Sequence, residues 1–344
     1  MLQKTTVRTL NSADFKAWDE FVETCPDATF FHKAGWKTVI ERAFRHRTHY
    51  LLAERGGAMV GVLPLTEINS RLFGHSLVSN IFCDYCGIAA ADDEARNALD
   101  LQAQALAREL KVGHLEYRQL KAFHADWPKN ELYFIFRKAI DPEVEANMQA
   151  IPRKQRAMVR KGIKNGLVSE LDEGVERFFA LFADNVKRHG TPALPKRYFA
   201  LLREVFGKDC EILTVTHQGR PVSSVLAFYF RDEVLPHHAG DSEAARNLAA
   251  NDFKYWELLR RGCERGYRLF DYGRSKLGTG QYDFKKNWGF EPVPLHYEYY
   301  LVNATGIPEH NPLNPKYQLF IKLWRKLPMS VANALGPYIV KDLG

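Results

Sequence analysis

The chain has 344 residues, of which 46% are hydrophobic and 26% are charged, and its formal net charge is +7. These ordinary globular values exclude a disordered or fibrous chain, and the length suggests two domains. No run of about 18 apolar residues predicts a membrane-spanning helix, and the N-terminal MLQKTTVRTLNSADFK lacks the apolar stretch of a signal peptide. Five cysteines, an odd number, do not suggest a disulfide framework, so we expect a cytoplasmic protein.

Hydrophobic periodicity and turn residues divide the first half into helices and short strands. In chain order we predict helices at 12–24 and 33–44, a hairpin around Gly56-Gly57, a strand at 75–82, a helix at 92–111 and strands at 114–120 and 132–140. The helix at 92–111 has the clearest signal, because it is acidic at its start and ends near a glycine.

The second half repeats this order of elements. In chain order we predict helices at 174–190 and 195–207, a hairpin at 210–230, a short strand at 233–242, a helix at 251–267, a strand at 268–273, a short helix at 282–289 and a last strand at 293–302. A repeat of roughly 150 residues is typical of a tandem domain rather than of a solenoid.

This order resembles that of acetyltransferase-like domains of the GNAT type. We therefore predict a layered α/β (α+β) protein with two tandem GNAT-like domains, each a mixed sheet with flanking helices, at 1–148 and 149–305. Residues 306–316 are rich in Pro and Asn and predict a linker. A C-terminal helix completes the segment 306–344, and we expect it to pack on the first domain. Its lysines and apolar residues would also suit a helix lying on an anionic bilayer.

A basic segment lies where the two halves join. Residues 153–164 contain six cations and no acidic residue, namely Arg153, Lys154, Arg156, Arg160, Lys161 and Lys164. Two interpretations fit this charge: a solvated helix face, or a site for a polyanion such as nucleic acid, phosphate or an anionic membrane.

Several stretches resemble the FemAB family over nearly the whole chain. They are IPRKQRAMVRKGIKNG, RHGTPALPKRYF, FDYGRS and YDFKKNWGFEPVPLHYEYY. The sequence is most similar to the branch of FemAB-like proteins associated with exosortase and PEP-CTERM exopolysaccharide systems. FemAB proteins are bacterial transferases, and the best-known members move an amino acid from aminoacyl-tRNA to an amino group of a peptidoglycan precursor.

The resemblance implies roles for several second-domain residues. The Phe-Lys pair at the family's reacting centre matches Phe284-Lys285. The tyrosine of the nucleotide site matches Tyr198, whereas the arginine of that site is replaced by Leu194. A tyrosine on the family's fourth strand falls at His238. Because this arginine is absent, the sequence does not decide whether the acceptor is linked to a nucleotide.

In the first domain the family has a lysine shortly after a tryptophan. Trp36 and Lys37 are the corresponding residues, one position out of register. The long coiled-coil arm of some members is absent, and only the basic segment 153–164 occupies its place.

Acyl transfer to an amine passes through a tetrahedral oxyanion, which a fixed ammonium group stabilises. The resemblance favours Lys285 for this role over a surface lysine. Asp271 and Arg274, at the end of the predicted strand FDYGRS, could serve as general base and as anion ligand. The alternative is an internal Asp–Arg pair that only orients the loop.

No pattern predicts a tightly bound cofactor or a metal site. The lone Cys83-x-x-Cys86 is best read as two structural cysteines. The loop GDSEAARNLAAND, after the strand at 233–242, lacks the glycines of a coenzyme A pyrophosphate motif. The expected donor is aminoacyl-tRNA or acyl-CoA, and the expected partners are an envelope precursor, tRNA and an anionic membrane. A non-catalytic RNA- or phosphate-binding scaffold is the alternative function.

Overall fold

The computed structural model of the chain describes residues 4–71, 73–307 and 315–342, with the backbone alone for 315–319. The chain divides into two compact units. Unit 1 comprises residues 1–133, 294–309 and 342–344, and unit 2 comprises 134–293 and 310–341. These boundaries differ from the predicted ones, because residues 134–148 belong to unit 2 and residues 294–305 to unit 1.

Helices form about as the sequence predicts. Additional helices precede the basic segment, precede the helix predicted at 251–267 and end the described part of the chain. In chain order, the helices are α1 (Phe15–Thr24), α2 (Gly35–Phe44), α3 (Asp93–Glu109), α4 (Val144–Ala150), α5 (Arg153–Lys164), α6 (Glu176–His189), α7 (Lys196–Phe206), α8 (Ala245–Leu248), α9 (Ala250–Glu264), α10 (Gly280–Asn287), α11 (Pro315–Lys326) and α12 (Met329–Val340).

Strands in the described residues are more numerous than the sequence predicts. They are β1 (Thr6–Thr9), β2 (Arg47–Thr48), β3 (Leu51–Arg55), β4 (Ala58–Leu63), β5 (Thr66–Ser70), β6 (Gly74–Val78), β7 (Ala89–Ala90), β8 (His114–Gln119), β9 (Lys129–Asn130), β10 (Tyr133–Ala139), β11 (Leu167–Leu171), β12 (Cys210–His217), β13 (Arg220–Phe230), β14 (Glu233–Asp241), β15 (Leu269–Lys276), β16 (Pro292–Pro294) and β17 (His296–Leu301).

Unit 1 contains two sheets and the helix α3. The strand orders are β1-β3-β4-β7 and β2-β5-β6-β8-β17-β9. The Asp92 side chain caps α3 by accepting a hydrogen bond from the Ala95 N–H, and Leu99 and Ala103 on the inner face of α3 are fully buried. This capped, one-sided helix is what the acidic start and apolar periodicity of the sequence predict.

Unit 2 is built on one seven-stranded sheet with the order β11-β12-β13-β14-β15-β10-β16. Strands β11 to β14 are antiparallel neighbours, whereas β14 and β15 run parallel. The helix α9 makes the crossover between these two parallel strands, as a parallel pair requires. Trp256 and Leu258 on α9 are buried against the sheet.

Two strands lie in sheets that the sequence did not predict for them. β10 was predicted to end the first domain, yet it lies beside β15 in the sheet of unit 2. β17 was predicted to end the second domain, yet it pairs antiparallel with β8 in unit 1, with His296 opposite Gln119. Alternating apolar residues predict a strand but not its partner, because partners are chosen by long-range packing.

The helix α6 crosses β14 at very short range. A Cβ atom on Gly240 would lie 2.5 Å from the Cα of Phe182 and would also clash with the backbone N of that residue. Only glycine allows this approach, which places α6 directly over the second half of β14.

We expect Gly240→Ala to lower the free energy of unfolding by about 2–3 kcal/mol, because α6 must move to admit the methyl group. Gly280→Ala is the matched control, because the space around Gly280 is open and alanine suits the first turn of α10. Urea denaturation of both variants measures the difference. Equal stability of the two variants would contradict the close packing of α6 on β14.

The C-terminal helices pack on unit 2 and not, as predicted, on the first domain. Gly190 ends α6 in the left-handed conformation (φ 86°), and the space beside it is filled by Ile321 of α11. The Lys187 Nζ donates a hydrogen bond to the Arg325 carbonyl at 3.0 Å. Most of the predicted linker 306–316 lies outside the described residues.

Candidate functional site

The sheet of unit 2 opens between its two parallel strands. β14 and β15 pair only at their first residues, with Glu233 opposite Leu269 and Val234 opposite Phe270. Beyond this point the described strands share no ladder, so main-chain N–H and C=O groups line both sides of an opening. Such groups can bind an extended ligand in the manner of an added strand.

A bulge in β14 accompanies the opening. Leu226 of β13 lies opposite His238 and Ala227 lies opposite Pro236, so His237 is the extra residue. A bulge bends a strand and increases its twist. Pro236 also has no N–H to donate to a neighbouring strand. Both features favour the separation of β14 from β15.

Lys285 lies at the edge of this opening. Its side chain is buried, and its Nζ donates hydrogen bonds to the carbonyls of Gly273 at 2.9 Å and Arg274 at 3.1 Å on β15. The ammonium group also lies 5.3 Å from the ring centre of Tyr272. Lys285 and Asp271 were both predicted site residues, and the structure brings them together through Gly273.

Asp271 is completely buried on β15, with both carboxylate oxygens engaged. Oδ1 accepts the Gly273 N–H at 2.9 Å, and Oδ2 lies 3.1 Å from Arg137 Nε on β10. This strand therefore carries an Asp–Arg ion pair, and its arginine is Arg137 on β10. Arg137 also pairs with Glu233, whose pKa is raised by burial and lowered in part by that guanidinium group. This arrangement is typical of a group that orients a strand.

A row of aromatic rings connects the two sides of the opening. Tyr272 on β15 packs against Tyr255 on α9 at 4.5 Å between ring centres. The fully buried Lys254 Nζ lies 4.8 Å from the Tyr255 ring and 2.9 Å from Asp241 Oδ1 at the end of β14. Burial raises the pKa of Tyr255 and of Tyr272, so both phenols stay neutral at physiological pH.

Lys254 and Tyr255 were not among the site residues predicted from the sequence. The signal was present, because helical spacing puts Lys254 on the same face of α9 as Ala250 and Leu258, which are both buried. A lysine on an apolar face is unusual, because a buried cation needs a partner.

Three buried hydroxyl groups around the opening have no hydrogen-bond partner among the described residues. They belong to Ser242, which follows β14, and to Tyr272 and Ser275 on β15. Buried polar groups in proteins are normally paired. Unpaired hydroxyls on both sides of one opening therefore favour a site that takes a polar ligand or water.

Phe284 precedes Lys285 on α10 and is partly buried against the aromatic row. Its ring centre lies 6.0 Å from Trp288 and 6.2 Å from Tyr272. The indole N–H of Trp288 donates to Asp252 Oδ1 at 2.9 Å, which ties α10 to the start of α9. Burial raises the pKa of Asp252, and this hydrogen bond opposes the shift.

His238 and Tyr198 were predicted to contact the acceptor, and the structure brings them together. His238 on β14 is partly exposed, and its ring centre lies 5.8 Å from that of Tyr198. Tyr198 is completely buried on α7, where it packs the core. Leu194, where the resemblance implies an arginine, is also buried, so this position contributes packing rather than charge.

Trp36 and Lys37 lie in unit 1, on α2. Trp36 is completely buried, and its indole N–H donates to the Phe30 carbonyl at 3.1 Å, as a core residue does. The Lys37 Nζ lies 2.5 Å from Glu41 Oε1 and 2.7 Å from Thr48 Oγ1. Both residues are thus held by contacts within unit 1.

The basic segment forms the helix α5, which packs on α9 through Val159 and Gly162. Five of its cations are exposed, namely Arg153, Lys154, Arg160, Lys161 and Lys164. The partly buried Arg156 donates a hydrogen bond to the Gln149 carbonyl at 3.3 Å. The helix therefore presents a dense positive charge to solvent.

All five cysteines are buried and free, including Cys83 and Cys86. Burial raises the pKa of the Cys86 thiol well above its usual value. Among the described residues no group of three or more His, Cys, Asp or Glu side chains is placed to hold a metal ion. None of the described helices is long and apolar enough to span a bilayer.

Residues 148–286 match the family model described as "Acetyltransferase (GNAT) domain", which covers α5 to α10 and the opening between β14 and β15. Among solved structures, FemX is 15% identical with a TM-score of 0.68, and the match covers 92% of this chain and 100% of FemX. The fold is that of tandem GNAT-like proteins.

Two further solved structures support this assignment. A tandem GNAT protein from the clavulanic acid biosynthesis pathway is 13% identical, with a TM-score of 0.54 over 86% of this chain and 98% of its own. A C-terminal domain assigned to a lysylphosphatidylglycerol synthetase from Agrobacterium fabrum is 14% identical, with a TM-score of 0.58 over 84% of this chain and 92% of its own. A comparison with curated protein sequences gives no match. The predicted fold class is confirmed.

Proposed function

We propose that this protein is an acyltransferase of FemAB type. It would transfer an aminoacyl or acyl group to an amino group of a cell-envelope precursor, of peptidoglycan or exopolysaccharide. The observation that carries this proposal is the buried ammonium group of Lys285 at the edge of the opening between β14 and β15. The GNAT domain match and the FemX-like fold support the same class of reaction.

In the proposed reaction the acceptor amine attacks the carbonyl carbon of the donor. A C–N bond forms, the donor's C–O ester or C–S thioester bond breaks, and the proton lost by the amine leaves with the alcohol or thiol. Lys285 stabilises the oxyanion formed on the way. Main-chain groups of β14 and β15 hold the donor in line for attack, which supplies rate through orientation.

The geometry does not favour Asp271 as the proton acceptor, because Arg137 and the Gly273 N–H occupy its carboxylate. Asp271 instead orients Gly273, whose carbonyl accepts a hydrogen bond from Lys285. We therefore assign Asp271 a positioning role, and the proton passes to the leaving group. Arg274 and His238, both partly exposed, remain proposed substrate contacts.

The donor is tested by a transfer assay with the purified protein. Charged tRNAs and acyl-CoAs, each carrying a labelled group, are offered with amino sugars and peptide amines of envelope precursors. The proposal predicts a labelled amide with one donor class. No amide with either class, at concentrations where both bind, would refute the transferase.

If aminoacyl-tRNA is the donor, the exposed cations of α5 contact its phosphates. Replacement of Arg153, Arg160 and Lys164 by Gln should then weaken tRNA binding and reduce the slope of log affinity against log salt by about two to three. Filter binding from low to high salt measures this slope. Replacement of Lys16, Lys121 and Lys208 by Gln is the charge-matched control, because these exposed lysines belong to other parts of the chain. An unchanged slope in the α5 variant would exclude α5 from the contact.

The scaffold function rests on the same exposed cations. It predicts that the protein binds tRNA with a steep salt dependence and yields no amide with any donor. The transfer assay and the binding assay together therefore distinguish a scaffold from an enzyme.

A further inference from the structure

The two C-terminal helices bury one face and expose an apolar one. Trp324 on α11 and Ala332 and Gly336 on α12 are buried. On the outer side Leu323 is 58% exposed and Tyr338 is 75% exposed. Phe320, Val331 and Leu335 are also exposed. The two helices therefore carry more apolar side chains than their packing on α6 buries.

The exposed apolar residues of α12 form one stripe. Val331, Leu335 and Tyr338 follow the spacing i, i+4, i+7, which keeps them on one side of a helix. On α11, Phe320 and Leu323 are likewise three residues apart. Exposed apolar groups that are contiguous along a helix mark an interaction surface more often than scattered ones do.

The positive charge of the C-terminal segment indicates an anionic partner. Residues 315–341 contain five lysines and arginines and no aspartate or glutamate. Lys322 and Lys326 are exposed and form no ion pair with any described residue. Arg325 donates a hydrogen bond to the His189 carbonyl at 3.2 Å, so it is held at the junction with α6. Uncompensated cations beside exposed apolar side chains are what an anionic lipid surface attracts.

We propose that the outer faces of α11 and α12 dock this protein on an anionic phospholipid bilayer. Leu323, Leu335 and Tyr338 enter the boundary between head groups and acyl chains, and Lys322 and Lys326 contact lipid phosphates. The inner faces stay packed on α6, so docking requires no unfolding. This inference is independent of the proposed transferase activity.

The first test is co-sedimentation of the full chain with vesicles of phosphatidylglycerol and phosphatidylcholine, compared with vesicles of phosphatidylcholine alone. We expect binding to the anionic vesicles that weakens with salt. Leu335→Glu and Tyr338→Glu should each reduce the partition coefficient more than tenfold, because they remove apolar contact and add repulsion. Leu101→Glu, at a leucine on α3 that is 64% exposed, should bind like the wild type.

The charge is tested separately. Lys322→Gln combined with Lys326→Gln should lower the partition coefficient by roughly fivefold per lysine. The same double change at Lys154 and Lys161 on α5 should have little effect. The opposite result, with loss only in the α5 variant, would assign membrane binding to α5 and overturn the proposal.

A probe on the stripe gives a readout that does not depend on binding strength. Because all five native cysteines are buried, Ala334→Cys provides a single exposed thiol beside Leu335 on α12 for an environment-sensitive fluorophore. We expect the fluorescence emission of the probe to shift to the blue on addition of anionic vesicles and not to shift with neutral ones. A probe already blue-shifted without vesicles, in a protein that sediments as a dimer, would show that a second copy covers this face. That result, or no shift with bound vesicles, would overturn the proposal.

Discussion

Lys285→Met should lower the transfer rate by a factor on the order of 10²–10³ and leave the fold intact. Loss of one group that stabilises an oxyanion typically has this effect. Methionine keeps the aliphatic packing against Phe136 and Tyr272 and removes only the ammonium group, which donates to two β15 carbonyls.

The measurement is single-turnover transfer at saturating donor. Lys286→Met is the matched control, because Lys286 is the adjacent lysine on α10 and is exposed. A near-normal rate in Lys285→Met, with melting temperature unchanged, would place the chemistry away from this lysine. A lower transfer rate in both variants would indicate a general effect of positive charge on α10.

The second large effect concerns stability. Asp241→Asn should lower the free energy of unfolding by about 3–5 kcal/mol, because it removes the ion-pair partner of the fully buried Lys254 ammonium group. The double variant Asp241→Asn with Lys254→Met should recover part of this loss, because the buried ammonium group is then absent.

Urea denaturation of the two single variants and the double variant forms a double-mutant cycle, which measures the coupling between the two residues. Glu20→Gln is the control, because it breaks the exposed Lys16–Glu20 pair, where we expect a change below about 0.5 kcal/mol. Additive losses in the cycle would mean that Asp241 and Lys254 do not stabilise one another.

Helices and the identity of the fold could be predicted from the sequence because their signals are local. The capped α3 and the glycine that ends α6 both follow from residues within one or two turns. The strand β1 was missed, and so was β11, which is a short edge strand paired with β12 alone. A few residues carry too little periodicity to identify a strand.

The candidate site could be predicted only in part. Phe284-Lys285 was found through its resemblance to a family motif. The pairing of Asp271 with Arg137 could not be predicted, because Arg137 lies on β10, which the sequence assigned to the other half of the chain. β10 joins the sheet of unit 2 and β17 joins a sheet of unit 1. This pairing depends on which strands bury their faces together, and that information is not local in the sequence.

The central claim is that the opening between β14 and β15 binds the acyl donor. Hydrogen exchange with mass spectrometry tests it directly, using an amide-linked analogue of aminoacyl-tRNA and a thioether analogue of acyl-CoA, one at a time. We predict that the analogue of the true donor slows exchange at residues 235–243 and 271–276, where β14 and β15 share no ladder with each other. The fully paired hairpin of β12 and β13 should show no change. Protection confined to α5, or no protection at the opening with the analogue bound, would contradict the claim.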